Sequence, residues 1–431
     1  MENQACPLSP VNQDVPFSFF VPAKPDNSPR MKIAIRRADV RVPGFLLSGV
    51  ACGLKEDGRK DVALIFAEKP AAAAGAFTTN RFAAPPVTIA RRRLRSGRVQ
   101  AVVVNTKSAN AGTGAAGLAR ARACCRLAGE LLGIPENRVV PCSTGKIGLP
   151  LAWDNVSRGI RLAVLKLSRA GLWDAAEAIR TTDAFAKVAV RTLRVGGKRV
   201  TIAGLAKGAG MIQPDMATTL AYVLTDAKCA PAFLRRVLHA GLADSFNAIS
   251  VDGDTSTNDT ALLLSSGASD VAIGAGSEAA RRFSAAVAAV LADLARMIVV
   301  DGEGASKLVR VAVRGARSRT QAERAARAVA NSVLVKTAIH GADPNWGRIA
   351  CALGYSGARF APERTTIRIG GVVVARKAEG TGEGAARKAR RAMQRNEFDI
   401  DIDLAAGRHR ASILTCDLGV DYVKFNSDYS S

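Results

Sequence analysis

The chain has 431 residues, 48% of them hydrophobic, with 61 Lys and Arg against 37 Asp and Glu and a formal net charge of +24. This composition is globular, which excludes a disordered or fibrous chain, and an aromatic share of only 5% dictates an aliphatic core. The charge attracts anions of any size. Its arginines, however, fall in short clusters such as Arg91 to Arg93 and Arg387 to Arg391 between Ala-rich apolar periods, without the aromatic platforms of single-strand binders. They read as wet helix faces, and no specific nucleic-acid partner is expected.

Along the chain, the first 30 residues hold six prolines and no base before Lys24. They fit neither a signal nor a transit peptide. They read as a disordered extension over 1–30, with Met31 as an alternative start, and a cytoplasmic location is expected. Val99 to Val104 predicts a buried strand that ends in the polar turn 105–114. A helix follows, with Leu118, Ala121, Cys125, Ala128 and Leu132 on one face, ended by Gly133 and Pro135. The next strand, Arg138 to Cys142, leads into Ser143, Thr144 and Gly145. Residues 188–195 and 198–205 are β-type runs joined by Gly196-Gly197, a hairpin signal. The second run enters a Gly-rich loop from Lys207 to Ala217, and Leu220 to Leu224 is again a strand. Helical periods recur at 231–245, 278–297 and 320–331, with strands near 298 and at 308–314. The alternation predicts an α/β fold with sheets layered between helices. Asp293 and Arg296 interrupt the apolar stretch Phe283 to Val300, so no membrane span is expected.

Several familiar motifs fail on inspection. Ser143 to Gly148 has Ile147 where a phosphate-binding loop needs Ser or Thr. Gly274-Ala275-Gly276 with Ala279 is only a fragment of a dinucleotide fingerprint. The acidic loop Asp252 to Asp259 lacks the Gly and Glu of a calcium loop, so its acids read as Asx-turns and caps. Eight cysteines without C-x-x-C spacing read as small buried hydrophobes, and three scattered histidines argue against a metal site. No metal or organic cofactor is expected. The loop before Thr218 is different. Gly208 and Gly210 admit close ligand approach, Lys207 adds a fixed charge and Pro214 stiffens the approach to a hydroxyl. A Thr hydroxyl needs a base, and its own α-amine can serve once the preceding peptide bond is cut. On the residues alone, Thr218 is equally a β-branched residue opening a strand.

The segment KGAGMIQPDMATTL (207–220) resembles the cleavage and nucleophile segment of the ornithine acetyltransferase family, also called the bifunctional glutamate N-acetyltransferase or ArgJ family. The resemblance extends from about residue 40 onward, through PGFLLSGVACGLK (43–55), AGAFTTN (74–80), PCSTGKIG (141–148), TTDAF (181–185), FNAISVDGDTSTNDTALLL (246–264), VDGEGASK (300–307), NSVLVKTAIHGADPNWGRI (331–349) and DYVKFNSDYSS (421–431). It implies a layered α/β fold of the N-terminal-nucleophile type. It also implies self-cleavage between Ala217 and Thr218 into an N-terminal chain, 31–217 after the extension, and a C-terminal chain, 218–431. Two copies of each would form a heterotetramer.

The implied activity is ping-pong transfer of acetyl from N-acetylornithine to glutamate through Thr218 in arginine biosynthesis, with acetyl-CoA as an open second donor. Thr144 and Gly145 are the implied oxyanion hole. Thr182, Lys207, Thr218, Glu303, Asn426 and Ser431 are the implied substrate contacts, with Thr181 the alternative to Thr182. Without the resemblance, Glu303 reads as a solvated turn acid and Asn426 and Ser431 as a frayed tail. The chain departs from the family where it reads Thr106-Lys107-Ser108, and Lys107 so near the oxyanion loop leaves the substrate preference open. A self-cleaving amidohydrolase or aminopeptidase with water as acceptor is the alternative activity.

Overall fold

The computed structural model describes residues 39–213 and 219–428; the extension expected over 1–30 lies outside them. Ten strands occupy the chain as far as residue 265: β1 (Phe45–Val50), β2 (Val62–Phe77), β3 (Arg98–Asn105), β4 (Val139–Ser143), β5 (Lys187–Val195), β6 (Lys198–Lys207), β7 (Leu220–Thr225), β8 (Lys228–Cys229), β9 (Ile249–Ser250) and β10 (Thr260–Ser265). They are followed by β11 (Ala272–Ile273), β12 (Leu308–Ala316), β13 (Thr366–Ile369), β14 (Val372–Arg376), β15 (Glu379–Gly380), β16 (Glu397–Asp403) and β17 (His409–Cys416). The first large sheet runs β4-β3-β2-β10-β7-β6-β5, with β1 added beside β2, and the second runs β15-β14-β13-β16-β12-β17-β9. The fold is mixed α/β, as expected.

Local sequence explains most of these elements, and tertiary context the rest. The β5–β6 hairpin turns at Gly196 and Gly197, whose φ values of +55° and +79° suit a primed turn. Ala71 to Ala74 are strong helix formers, yet they lie inside β2 between β3 and β10. Their small side chains admit the helix Pro231–Ala243, and Ala72, Ala74 and Ala76 share a core with Phe233, Leu234 and Val237.

The strand expected near 298 is not formed. The helix Glu278–Val300 runs through it, capped at its start by Ser277 Oγ accepting the Ala280 amide at 3.0 Å. A short apolar run of β-branched residues suits a buried helix as well as a strand. This helix is also, by length and composition, long and apolar enough to cross a bilayer, contrary to expectation. In the fold its apolar residues are buried against β5, β6 and the helix Pro231–Ala243. Gly204 of β6 makes room for them: a Cβ there would lie 2.6 Å from Val290 Cγ1.

Of the described cysteines all are buried except Cys351, which is exposed, a partial correction. Burial pushes the Cys124, Cys125 and Cys142 thiols up to about 12, which keeps them unreactive.

The strand registers set up the site. Lys207 pairs with Leu220, Leu220 with Thr260, Thr260 with Phe77, and Asn105 with Ser143. The end of β6 and the starts of β7 and β10 therefore lie level with the end of β2 at one edge of the first sheet, and Asn258, donating to Ser143 O at 2.9 Å, brings the ends of β3 and β4 beside them.

Candidate active site

At that edge lies a polar cavity of about 150 Å³. Thr144 stands just past β4, and its amide donates to Asn105 O at 3.0 Å. Two residues on, Lys146 N donates to Lys107 O at 2.9 Å. Between these tied amides, the Gly145 N–H has no acceptor among the described residues. Gly145 has φ +133°, and a Cβ there would lie 2.3 Å from the Lys107 carbonyl. Only glycine can turn the chain so tightly here, and the turn leaves one amide and the Thr144 hydroxyl facing the cavity. Lys207 Nζ, at the end of β6, donates to Thr144 Oγ1 at 3.2 Å.

The acidic loop that reads as Asx-turns does form them, with Asp254 N donating to Asp252 Oδ1 at 3.2 Å. It also does more. Asp252 accepts the amides of Met211 at 2.6 Å and Ile212 at 2.7 Å, which fixes the Gly-rich loop after Lys207. Asn258 donates to Ser143 O at 2.9 Å and Ala109 O at 2.6 Å, which pins the strand end that carries Thr144. Asp259 lines the cavity fully buried, and its Oδ2, like Thr219 Oγ1, has no hydrogen-bond partner among the described residues. Burial raises the Asp259 pKa well above the usual carboxylate range, against the pull of Lys207.

Glu303 lines the same cavity and acts electrostatically on Lys207. Gly210 makes room for the carboxylate, since a Cβ at Gly210 would fall 2.4 Å from Glu303 Oε2. Gly304, at φ +68°, lets the C-terminal helix Val420–Asp428 close in; a Cβ there would lie 2.4 Å from Tyr422 N. The helix thereby presents Asn426, whose Nδ2 donates to Glu303 Oε2 at 3.1 Å, so this part of the tail is an ordered wall. Burial raises the Glu303 pKa, and hydrogen bonds from Thr182 and Asn426 pull it back in part. Burial likewise lowers the Lys207 pKa, with Asp183 opposing. Both threonines proposed at 181–182 line the cavity; Thr182 helps to lower the Glu303 pKa, whereas the Thr181 amide is tied to Asp183 Oδ2 at 2.9 Å.

The fold thus gathers Thr144, Gly145, Thr181, Thr182, Lys207, Glu303 and Asn426 around one cavity. Ala217, Thr218 and Ser431 lie outside the described residues. Lys107 is not among the lining residues: it takes φ +71° and its ammonium reaches out to Glu56 at 3.1 Å. Its side chain therefore stays off the cavity, and only its backbone carbonyl, which accepts the Lys146 amide, borders the Gly145 turn. Sequence reasoning missed Asp252, Asn258, Asp259 and Tyr422 as cavity walls, and the dense run 252–259 was the signal for three of them. Among the described residues, no cluster of His, Cys, Asp and Glu could hold a metal ion.

The sequence matches the ArgJ family over residues 46–431. It is 48% identical over 398 residues to the arginine biosynthesis bifunctional protein ArgJ of Geobacter sulfurreducens, covering 90% of this chain and 100% of that protein. It is also 48% identical to the protein of the same name from Symbiobacterium thermophilum, over 90% of this chain and 96% of the relative. Among solved structures, ArgJ from Bacillus halodurans matches at 38% identity and a TM-score of 0.47, over 48% of this chain and 98% of that one. Ornithine acetyltransferase of Mycobacterium tuberculosis complexed with ornithine matches at 36% identity and a TM-score of 0.37, over 41% of this chain and 94% of that one.

Proposed function

Because the chain belongs to the ArgJ family, we propose that it is an acetyltransferase of arginine biosynthesis that moves acetyl from N2-acetyl-L-ornithine to L-glutamate through an acetyl-Thr218 intermediate. The observation that carries this reading is the cavity, where an ammonium, a carboxylate, a threonine hydroxyl and a glycine amide come together at the head of β7, the strand that follows residue 218.

Cleavage between Ala217 and Thr218 frees an α-amine next to a hydroxyl, giving chains 1–217 and 218–431 that stay associated, with two of each in the assembly. Lys207 holds the α-carboxylate of N-acetylornithine, and Glu303, backed by Thr182 and Asn426, holds its distal ammonium. Ser431 completes the substrate contacts. The Thr218 hydroxyl oxygen attacks the acetyl carbonyl and its proton passes to the α-amine. The tetrahedral oxyanion takes hydrogen bonds from the Thr144 hydroxyl and the Gly145 amide, donors worth up to about 3–4 kcal/mol each when aligned on the transition state. The C–N bond then breaks, the proton moves from the Thr218 amine to the departing ornithine nitrogen, and an ester remains on Thr218.

Glutamate enters the same cavity and its α-amine reverses these steps. Its second carboxylate meets Glu303, and burial, by favouring the protonated form of Glu303, supports acceptance of that like-charged group. The relatives' name, bifunctional, makes acetyl-CoA a second donor to be tried in the same assay.

The test is transfer of labelled acetyl from N-acetylornithine to glutamate, with mass spectrometry of the peptide that begins at residue 218. N-acetylglutamate together with an acetylated Thr218 peptide is the expected result. Free acetate without N-acetylglutamate would replace the reading by the amidohydrolase, and no turnover of N-acetylornithine would end it.

A further inference from the structure

Lys187 plays no part in the steps above, yet it is the most deeply buried charge near the cavity. Its side chain is 0% exposed, and Nζ lies 2.7 Å from Asp183 Oδ1 and 2.5 Å from Asp301 Oδ2. Each carboxylate in turn holds backbone. Asp183 accepts the amide of Gly208 at 2.6 Å on Oδ1 and that of Thr181 at 2.9 Å on Oδ2. Asp301 accepts the Ala184 amide at 3.0 Å and stands two residues before Glu303, whose own amide donates to Ala209 O at 3.0 Å. One ammonium therefore ties together the segments 181–184, 207–210 and 301–303, and these are the segments that carry Thr182, Lys207 and Glu303.

Stability is a poor reason for such an arrangement. Buried ion triads are often matched or bettered by apolar side chains of similar volume, because desolvation offsets the Coulombic gain. What an apolar cluster lacks is direction: the triad fixes hydrogen-bonded backbone at set angles on both sides of the cavity. It also settles the charge of Asp183. With Lys187 present, that carboxylate is answered locally and Lys207 stays beside Thr144 Oγ1 at 3.2 Å. Without it, Lys207 is the next strongest cation acting on Asp183, and attraction would draw it away from the substrate.

We propose that the Asp183–Lys187–Asp301 triad is a positioning element that sets the separation between the Lys207 ammonium and the Glu303 carboxylate, and so selects the length of the diamino acid held between them. The inference rests on the acetyltransferase reading.

The test compares kcat and KM for N2-acetylornithine with those for N2-acetyllysine, which is one methylene longer. Wild-type protein is set against the charge-balanced variant Lys187→Met/Asp301→Asn and against Asp301→Asn alone, which keeps the Lys187–Asp183 pair. The double variant is expected to raise KM for acetylornithine about tenfold and to shrink its preference over acetyllysine by a similar factor, within the range a single methylene commands. Asp301→Asn should show the same changes in smaller measure, and it carries the comparison if the double variant does not fold. Folded variants whose activity falls while KM and the preference ratio stay at wild-type values would overturn the inference, as would variants unchanged in every respect. Wild-type protein inactive on both substrates would instead overturn the acetyltransferase reading, and the inference with it.

Discussion

Replacing Gly210 by Ala separates a substrate effect from a folding effect. The backbone of Gly210 is outside the left-handed region, so alanine is compatible with its conformation. The added methyl would lie 2.4 Å from Glu303 Oε2 and 2.5 Å from its Cδ, whereas ordinary contact begins at 3.4 Å. The carboxylate is the movable end of a flexible side chain and has to retreat by about 1 Å, enough to break a hydrogen bond. The bond at stake is the one from Asn426 Nδ2, now 3.1 Å long. Misplacing a charged hydrogen-bonding group costs roughly 1.5–3 kcal/mol, or about ten- to a hundredfold in kcat/KM. Steady-state kinetics with N-acetylornithine should show that loss in Gly210→Ala while its thermal midpoint stays close to wild type. Glu303→Ala gives the ceiling. If Glu303→Ala is severely impaired and Gly210→Ala keeps wild-type kcat/KM, then the carboxylate does not act from its place beside Gly210.

Further outcomes can be checked directly. Mass spectrometry should find wild-type protein as two polypeptides that meet at Ala217 and Thr218, and Thr218→Ala as one; an uncut, active wild type would refute the amine-as-base mechanism. Thr144→Ala should lower kcat and kcat/KM together by roughly a hundredfold, because the hydroxyl acts on the oxyanion; a change confined to KM would remove it from that role. The two half-reactions should respond to pH with opposite signs. Since burial raises the Glu303 pKa, raising the pH through its titration should speed acetylation by N-acetylornithine, whose ammonium needs the carboxylate. It should slow deacetylation by glutamate, whose carboxylate needs the protonated form. Rapid-mixing measurements in which both limbs run the same way, or in which Glu303→Gln keeps both, would dismiss this assignment.

Much of the fold was legible because its signals are local. The Gly196-Gly197 turn, the apolar run of β3 and the spacing of the helix Gly114–Leu132 each depend on a few neighbouring residues. The miss at Ile298 has a physical cause: a run buried on all sides carries no periodicity to tell helix from strand. That Lys207 borders the cavity was legible in the Gly-rich loop it opens, whereas Thr144 and Gly145 were singled out only through the family resemblance. The site was illegible where function depends on pairing across the chain. Asp252 reads as a turn former, but that it grips Met211 and Ile212 follows from the pairing of 212–213 with 251–255. Lys187 reads as an ordinary basic residue at the start of a strand, and only the approach of Asp183 and Asp301 makes it a buried cation.

The strand order of the first sheet bears on what a cut before residue 218 would do. β7 and β10 come after the cut in sequence, yet β10 lies between β2 and β7, and β7 lies between β10 and β6. The later polypeptide's pair of strands would be wedged between strands of the earlier one, so that neither could leave without breaking the hydrogen-bonded ladders on both flanks. Dissociation and denaturation would then be one event. An uncut chain unfolds as a unimolecular process, whereas a cut one becomes two molecules, and its midpoint shifts with dilution by mass action. Maturation would turn a concentration-independent stability into a concentration-dependent one with every contact of the sheet unchanged.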